Sequence, residues 1–138
     1  IAEAFGSGTH GSTYGGHPVA CAAALASISE ILDKDLSGNA KVVGEYMVEQ
    51  MAKLPHVKEA RGRGLLVGCE YDLPIALEVK WGWNTFKRHA LITAIGDKVN
   101  RMIPPLIATK EDVDKLMGIM EESINEAVEK YQKLTKAA

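Results

Sequence analysis

Cysteine is scarce in this sequence. The only two, Cys21 and Cys69, are far apart among 138 residues. No disulfide framework is therefore predicted, and a reducing cytoplasmic compartment is the expected location. Both lie among apolar residues, so we expect two buried structural thiols. His17 and Cys21 have the spacing of two metal ligands on one helix face, but no third ligand accompanies them, and we expect no metal site.

Long apolar runs and an excess of charge of one sign are also lacking. No stretch is long and apolar enough to predict a membrane span, and no signal peptide is evident. The net charge of −2 argues against a nucleic-acid surface. Hydrophobic residues at 46% and charged residues at 25% are typical of a single globular domain. Because residues 1–5 run directly into a glycine-rich loop, we expect a fragment of a longer chain.

The glycine-rich stretch at residues 11–18 reads GSTYGGHP and precedes an alanine-rich helical run. Small residues allow a backbone to approach a ligand closely, and a helix start favours an anion. The adjacent hydroxyls of Ser12 and Thr13 add hydrogen-bonding groups. The stretch therefore predicts a site for a phosphate or carboxylate. Residues 6–11, GSGTHG, have the spelling of a dinucleotide fingerprint, but the strand and helix that this motif requires are not predicted around it.

Hydrophobic periodicity predicts an α+β fold of about four helices and a few antiparallel strands. Pro18 opens the first helix, which is apolar almost all round and is therefore predicted to be buried between two layers. Thr109 is the predicted cap of the last helix, with Asp112 three residues on. The helices are predicted over residues 18–32, 40–54, 75–88 and from 110 onward. The strands are predicted over 57–60, 65–71, 91–94 and 98–103, with a turn or bulge at 61–64.

Arg101 is a candidate binding residue because it lies inside a predicted strand. Strict alternation places it on the same face as Val99 and Ile103, which predicts that it points toward the core. An inward arginine requires an anion. That anion is either an internal carboxylate in a buried ion pair or the carboxylate of a ligand, and the spacing favours neither.

Three motifs, in this order, resemble the C-terminal third of the class III aminotransferases, which depend on pyridoxal phosphate. They are residues 11–18 (GSTYGGHP), 61–65 (RGRGL) and 101–106 (RMIPPL). The resemblance covers nearly the whole chain and is strongest to the acetylornithine-specific branch. It implies the small C-terminal α+β domain of a fold-type I enzyme, with a short antiparallel sheet covered by helices. The implied division is a loop from the large-domain boundary, a long interdomain helix and the small domain, over residues 1–17, 18–36 and 37–138.

The resemblance also implies residue roles. Thr13 would donate to the cofactor phosphate across the dimer interface, and Ser12 would lie beside the substrate in that same site. Arg101 would pair with the substrate α-carboxylate, or with a glutamate of the large domain when substrate is absent. No catalytic residue is assigned, because the family's Schiff-base lysine lies upstream of this segment. The chain alone is therefore expected to be inactive.

The implied activity is transfer of the δ-amino group of N-acetylornithine to 2-oxoglutarate, in arginine biosynthesis, by a cytoplasmic homodimer. One alternative is another ω-aminotransferase, acting on ornithine, succinylornithine or γ-aminobutyrate. The other is a stand-alone, non-catalytic interaction domain. Two departures from the family pattern stand out. His17 replaces the usual asparagine, which predicts a weaker helix cap, and His89 and Ala90 stand where a helix-ending glycine is common.

Overall fold

The computed structural model describes residues 2–84 and 90–136. It contains two compact units, Ile1–Leu36 and Ser37–Ala138. The described helices are a short 3-10 helix (Ala2–Ala4), α1 (Pro18–Asp33), α2 (Leu36–Met51), α3 (Ala76–Asn84) and α4 (Lys110–Lys136). The described strands are β1 (Val57–Arg63), β2 (Leu66–Tyr71), β3 (Thr93–Ile95) and β4 (Val99–Met102). The end of the helix predicted over 75–88 and the expected departure at His89 lie outside the described residues.

The four strands form one antiparallel sheet with the order β1-β2-β4-β3. This arrangement confirms the predicted α+β class. The turn expected at residues 61–64 is wrong in its position, because β1 stays paired with β2 up to Arg63 opposite Leu66. The chain reverses only at Gly64, whose φ of +54° is a left-handed conformation suited to glycine.

The core of the second unit lies between one face of the sheet and the helices. Alternate residues of β2 and β4 point into it, as expected from the two-residue period of a strand. In α2, apolar residues recur every three or four positions and so share one face, on which Val43, Met47 and Met51 are buried. The same spacing in α4 predicts an apolar stripe along one side of the helix, and its buried members are Val113, Met117, Met120, Ile124, Ala127 and Val128.

Helix α2 begins at Leu36, four residues before the predicted start at Ala40. The polar residues that suggested a break are instead inside its first turns. Asn39 is held there by long-range bonds, since its Nδ2 donates to the carbonyl oxygens of Leu106 at 2.7 Å and Ala108 at 3.0 Å. The chain turns earlier, at Asp35, which has a φ of +43°.

The start of α4 confirms the predicted cap. The Asp112 backbone N–H donates to Thr109 Oγ1 at 3.2 Å, and Asp112 Oδ2 accepts from the Thr109 backbone N–H at 3.0 Å. These reciprocal bonds satisfy donors that a helix N-terminus leaves unpaired. Within residues 2–84 and 90–136, no helix combines the length and the apolar character of a membrane span.

The prediction that α1 is buried between two layers is wrong for this chain. No residue of α1 is buried, and the exposed fractions of Val19, Leu25 and Leu32 are 71%, 68% and 71%. The first unit consists of α1, the loop before it and a short 3-10 helix, so it contains no second layer. Cys21 is accordingly exposed, whereas Cys69 is buried as predicted.

Candidate functional site

The loop between residues 5 and 17 is a series of tight turns that ends at α1. The Thr9 backbone N–H and hydroxyl both donate to the Gly6 carbonyl oxygen, at 3.2 and 2.7 Å. Further along, the Gly15 N–H donates to the Ser12 carbonyl oxygen at 3.3 Å. A Cβ at position 15 would lie 3.3 Å from Ser12 Cβ, so a larger residue there would require Ser12 to shift by a few tenths of an ångström. The loop thus has its own backbone structure.

Ser12 and Thr13 are neighbours in this loop, and both are exposed. Among the described residues, neither hydroxyl has a hydrogen-bond partner. No aspartate or glutamate occurs between residues 4 and 29. Two unpaired hydroxyls, in a stretch without carboxylates and just before a helix N-terminus, can donate to a phosphate. The loop therefore suits an anion such as a cofactor phosphate, and the roles of Thr13 at the cofactor and Ser12 at the substrate stay predictions.

His17 caps α1 with its ring. Its Nδ1 accepts a hydrogen bond from the Val19 backbone N–H at 3.3 Å, so the neutral ring carries its proton on Nε2. The His17 ring therefore caps α1 at the position where the resemblance implies an asparagine. The same bond occupies Nδ1, the nitrogen nearest the helix. In the part of the chain that the structure describes, no three His, Cys, Asp or Glu residues are grouped as metal ligands.

Arg101 lies on β4, but it does not point into the core, contrary to the alternation proposed from the sequence. Asn100 and Met102 are the buried residues of this strand, and Arg101 is exposed. The phase predicted for β4 is therefore wrong by one residue, so the face that was expected to be buried is the exposed one. Arg101 is opposite Gly68 of β2 on one side and Thr93 of β3 on the other. Among the described residues, Arg101 has no ion-pair partner.

Charged side chains share this outer face of the sheet. Lys58 Nζ donates to Glu70 Oε1 at 2.9 Å, and Arg61 Nη1 donates to Glu70 Oε2 at 3.0 Å. Arg61 also reaches Glu59 at 2.9 Å. The bonds from Lys58 and then Arg61 hold the pKa of the Glu70 carboxyl below its usual value. Glu70 is thus an ionised carboxylate with a cation on each oxygen.

On the opposite, buried face, the structure reveals a polar group that the sequence did not indicate. The Tyr71 hydroxyl donates to Asn100 Oδ1 at 2.9 Å, and Asn100 Nδ2 donates to the Ala76 carbonyl oxygen at 2.9 Å. Burial raises the pKa of the neighbouring Cys69 thiol from 9.0 to about 12, so this thiol is not a nucleophile at neutral pH. The cluster joins the sheet to α3 and supports β4, which carries Arg101.

The predicted site residues are distributed over both units. Ser12 and Thr13 are adjacent in the first unit, and Arg101 belongs to the second. None of the described lysines is buried.

The burial of Asn100 could have been predicted only from the alternation of polar and apolar residues over 99–102. Because Asn100 and Arg101 are both polar, that pattern allows either of them to point inward.

Comparison with known proteins gives a consistent result. Residues 1–124 match the family described as Aminotransferase class-III. The chain is 37% identical over 121 residues to the acetylornithine aminotransferase of Methanosarcina acetivorans, covering 86% of this chain and 30% of that protein. It is 40% identical over 119 residues to ornithine aminotransferase 2 of Staphylococcus aureus strain Mu50, covering 83% of this chain and 28% of that protein.

A solved structure shows the same likeness. The ornithine aminotransferase of Toxoplasma gondii, whose active site is partly occupied by pyridoxal phosphate, superposes with a TM-score of 0.77 at 29% identity. The alignment covers 96% of this chain and 32% of that one. The chain therefore spans about 30% of the length of the curated relatives it matches.

Proposed function

Because the chain belongs to the class-III aminotransferase family, we propose that the whole protein is a pyridoxal-phosphate-dependent aminotransferase acting on N-acetylornithine and 2-oxoglutarate. The structural observation that supports a bound pyridoxal phosphate is the pair of hydroxyls before α1, Ser12 and Thr13, which have no partner among the described residues. The cofactor, when bound, supplies the carbonyl carbon that accepts and releases the amino group. This chain supplies binding groups.

Thr13 is proposed to donate its hydroxyl proton to a phosphate oxygen of the cofactor. A bond of this type to a charged acceptor contributes about 1.5–3 kcal/mol to binding. Ser12 is proposed to bind the substrate beside it. As the resemblance implies, both residues serve the active site of the partner subunit in a homodimer.

Arg101 is proposed to bind the α-carboxylate of a substrate such as 2-oxoglutarate. A guanidinium offers two parallel N–H donors whose spacing fits a carboxylate. This role is supported by the exposure of Arg101 and by the lack of an ion-pair partner for it among the described residues. It would bind and orient the substrate but transfer no proton.

The proposal extends to arginine biosynthesis and a cytoplasmic location, which the resemblance implies. The choice of N-acetylornithine as the amino donor is supported by the name of the Methanosarcina relative, acetylornithine aminotransferase. The Staphylococcus relative is named for ornithine, which makes ornithine the second candidate donor. We regard the isolated chain as inactive because it contains no counterpart of the family's Schiff-base lysine.

The test is a substrate panel on the purified whole protein loaded with pyridoxal phosphate. N-acetylornithine, ornithine, succinylornithine and γ-aminobutyrate are each offered with 2-oxoglutarate, and glutamate formation is measured. We expect the highest kcat/KM for N-acetylornithine. A higher kcat/KM for ornithine would make ornithine, instead of N-acetylornithine, the amino donor. If none of the four amino donors yields glutamate, the proposed activity is refuted.

A further inference from the structure

Glu70 and Arg101 have opposite charges and lie on the same outer face of the sheet, yet they are not paired. Glu70 is opposite Val99, and Arg101 is opposite Gly68, so the two are diagonal neighbours on β2 and β4. Such neighbours are roughly 7–8 Å apart at the backbone, within reach of long side chains. Gly68, with no side chain, leaves the space between them open.

The carboxylate of Glu70 instead turns toward β1. Both of its oxygens are bound there, Oε1 by Lys58 and Oε2 by Arg61. The Glu70 side chain is only 22% exposed, compared with 65% for Lys58 and 49% for Arg61. Strand β1 therefore contributes two cations to Glu70, whereas β4 offers one. The lowered pKa of Glu70 has the same cause.

A β-bulge explains how both cations come from one strand. The pairing of β1 with β2 shifts between Val57 and Glu59, so Lys58 occupies the irregular position. In a regular strand, Lys58 would point to the face opposite Glu59. At the bulge, Lys58 and Glu59 are both exposed, and Lys58 reaches Glu70 on the outer face. Bulges characteristically redirect a side chain in this way.

We propose that Lys58 and Arg61 are positioning residues that hold the Glu70 carboxylate on the β1 side, leaving Arg101 available to the carboxylate of a substrate. The inference rests on the binding role of Arg101 in the proposed function. Without the two cations, Glu70 would be an internal competitor for Arg101. An exposed ion pair of that kind is worth enough to weaken substrate binding about threefold to fivefold.

The test measures KM and kcat for 2-oxoglutarate in the whole, cofactor-loaded protein. The variant Lys58→Gln/Arg61→Gln should raise KM about threefold to fivefold and change kcat by less than about twofold. Adding Glu70→Gln should return KM to its original value, because the competitor has lost its charge. Lys130→Gln, which removes the exposed pair with Glu78 at 2.6 Å, is the matched control and should leave KM unchanged.

An unchanged KM in the Lys58→Gln/Arg61→Gln variant would overturn the inference, and so would a rise that Glu70→Gln fails to reverse. Arg101→Gln separates this failure from that of the proposed function. If Arg101→Gln leaves KM unchanged, the binding role of Arg101 is refuted together with the inference. If Arg101→Gln raises KM but the double variant does not, only the inference fails. Should the double variant fold poorly, Lys58→Gln alone is expected to raise KM in the same direction, and no rise would refute the inference.

Discussion

Gly44 of α2 packs directly against the backbone of Gly64, at the turn between β1 and β2. A Cβ at position 44 would lie 2.0 Å from the Gly64 carbonyl oxygen and 2.4 Å from its carbonyl carbon. Both distances are far inside van der Waals contact. The helix and the hairpin therefore approach this closely only because position 44 has no side chain.

Gly44→Ala should destabilise the second unit by about 3 kcal/mol, because the added methyl group forces α2 away from the turn. Urea denaturation measures the change. Gly118→Ala is the matched control, since it adds the same methyl group to an exposed position of α4 with nothing within 4 Å. That substitution should stabilise the helix by up to about 1 kcal/mol. Equal effects of the two substitutions would contradict the proposed close approach.

The buried amide of Asn100 gives a second prediction. Asn100→Ala leaves the Tyr71 hydroxyl and the Ala76 carbonyl oxygen without their partner and should cost about 2–4 kcal/mol. Asn125→Ala, at an exposed position of α4, should change the free energy of unfolding by less than about 0.5 kcal/mol. Thermal or urea unfolding measures the change in the free energy of unfolding for both variants. A loss below that of the control would show that the two bonds contribute nothing.

The case of Asn100 also shows how far the sequence could predict this molecule. The α+β class, the stripe of α4 and the Thr109 cap follow from local patterns, and the structure confirms them. The phase of β4 does not, because the partners of Asn100 lie 29 and 24 residues away. A local pattern that contains both Asn100 and Arg101 cannot show which of them has a buried partner.

The burial of α1 was mispredicted for a different reason. The apolar composition of α1 indicates that the helix is suited to pack against other surfaces. Its exposure shows that the described residues of this chain do not provide those surfaces.

For Ser12 and Thr13, the sequence indicated the hydroxyls and the helix start. The structure adds that the hydroxyls are unpaired among the described residues, which composition alone could not reveal.

The buried thiol of Cys69 predicts a loss of stability at alkaline pH. Its pKa is raised from 9.0 to about 12, so the folded protein retains a proton that the unfolded chain releases. Stability is therefore fully present below pH 9 and is lost as the pH rises toward 12, by about 1.4 kcal/mol per pH unit. Cys69→Ala should flatten the loss measured between pH 8 and 10. Cys21→Ala, which removes the exposed thiol, should leave this loss of stability unchanged. An equal dependence of stability on pH in the two variants would contradict the prediction.

Two threonines in one loop provide the sharpest test of cofactor binding. The Thr9 hydroxyl already donates to the Gly6 carbonyl oxygen at 2.7 Å, whereas that of Thr13 has no partner among the described residues. Thr13→Val in the whole protein should weaken pyridoxal phosphate binding by about 1.5–3 kcal/mol, because one bond to a charged phosphate is lost. Thr9→Val removes an equivalent hydroxyl from the same loop and should leave the affinity nearly unchanged. Cofactor titration followed by absorbance measures both. Equal affinities in the two variants would show that the Thr13 hydroxyl does not bind the phosphate.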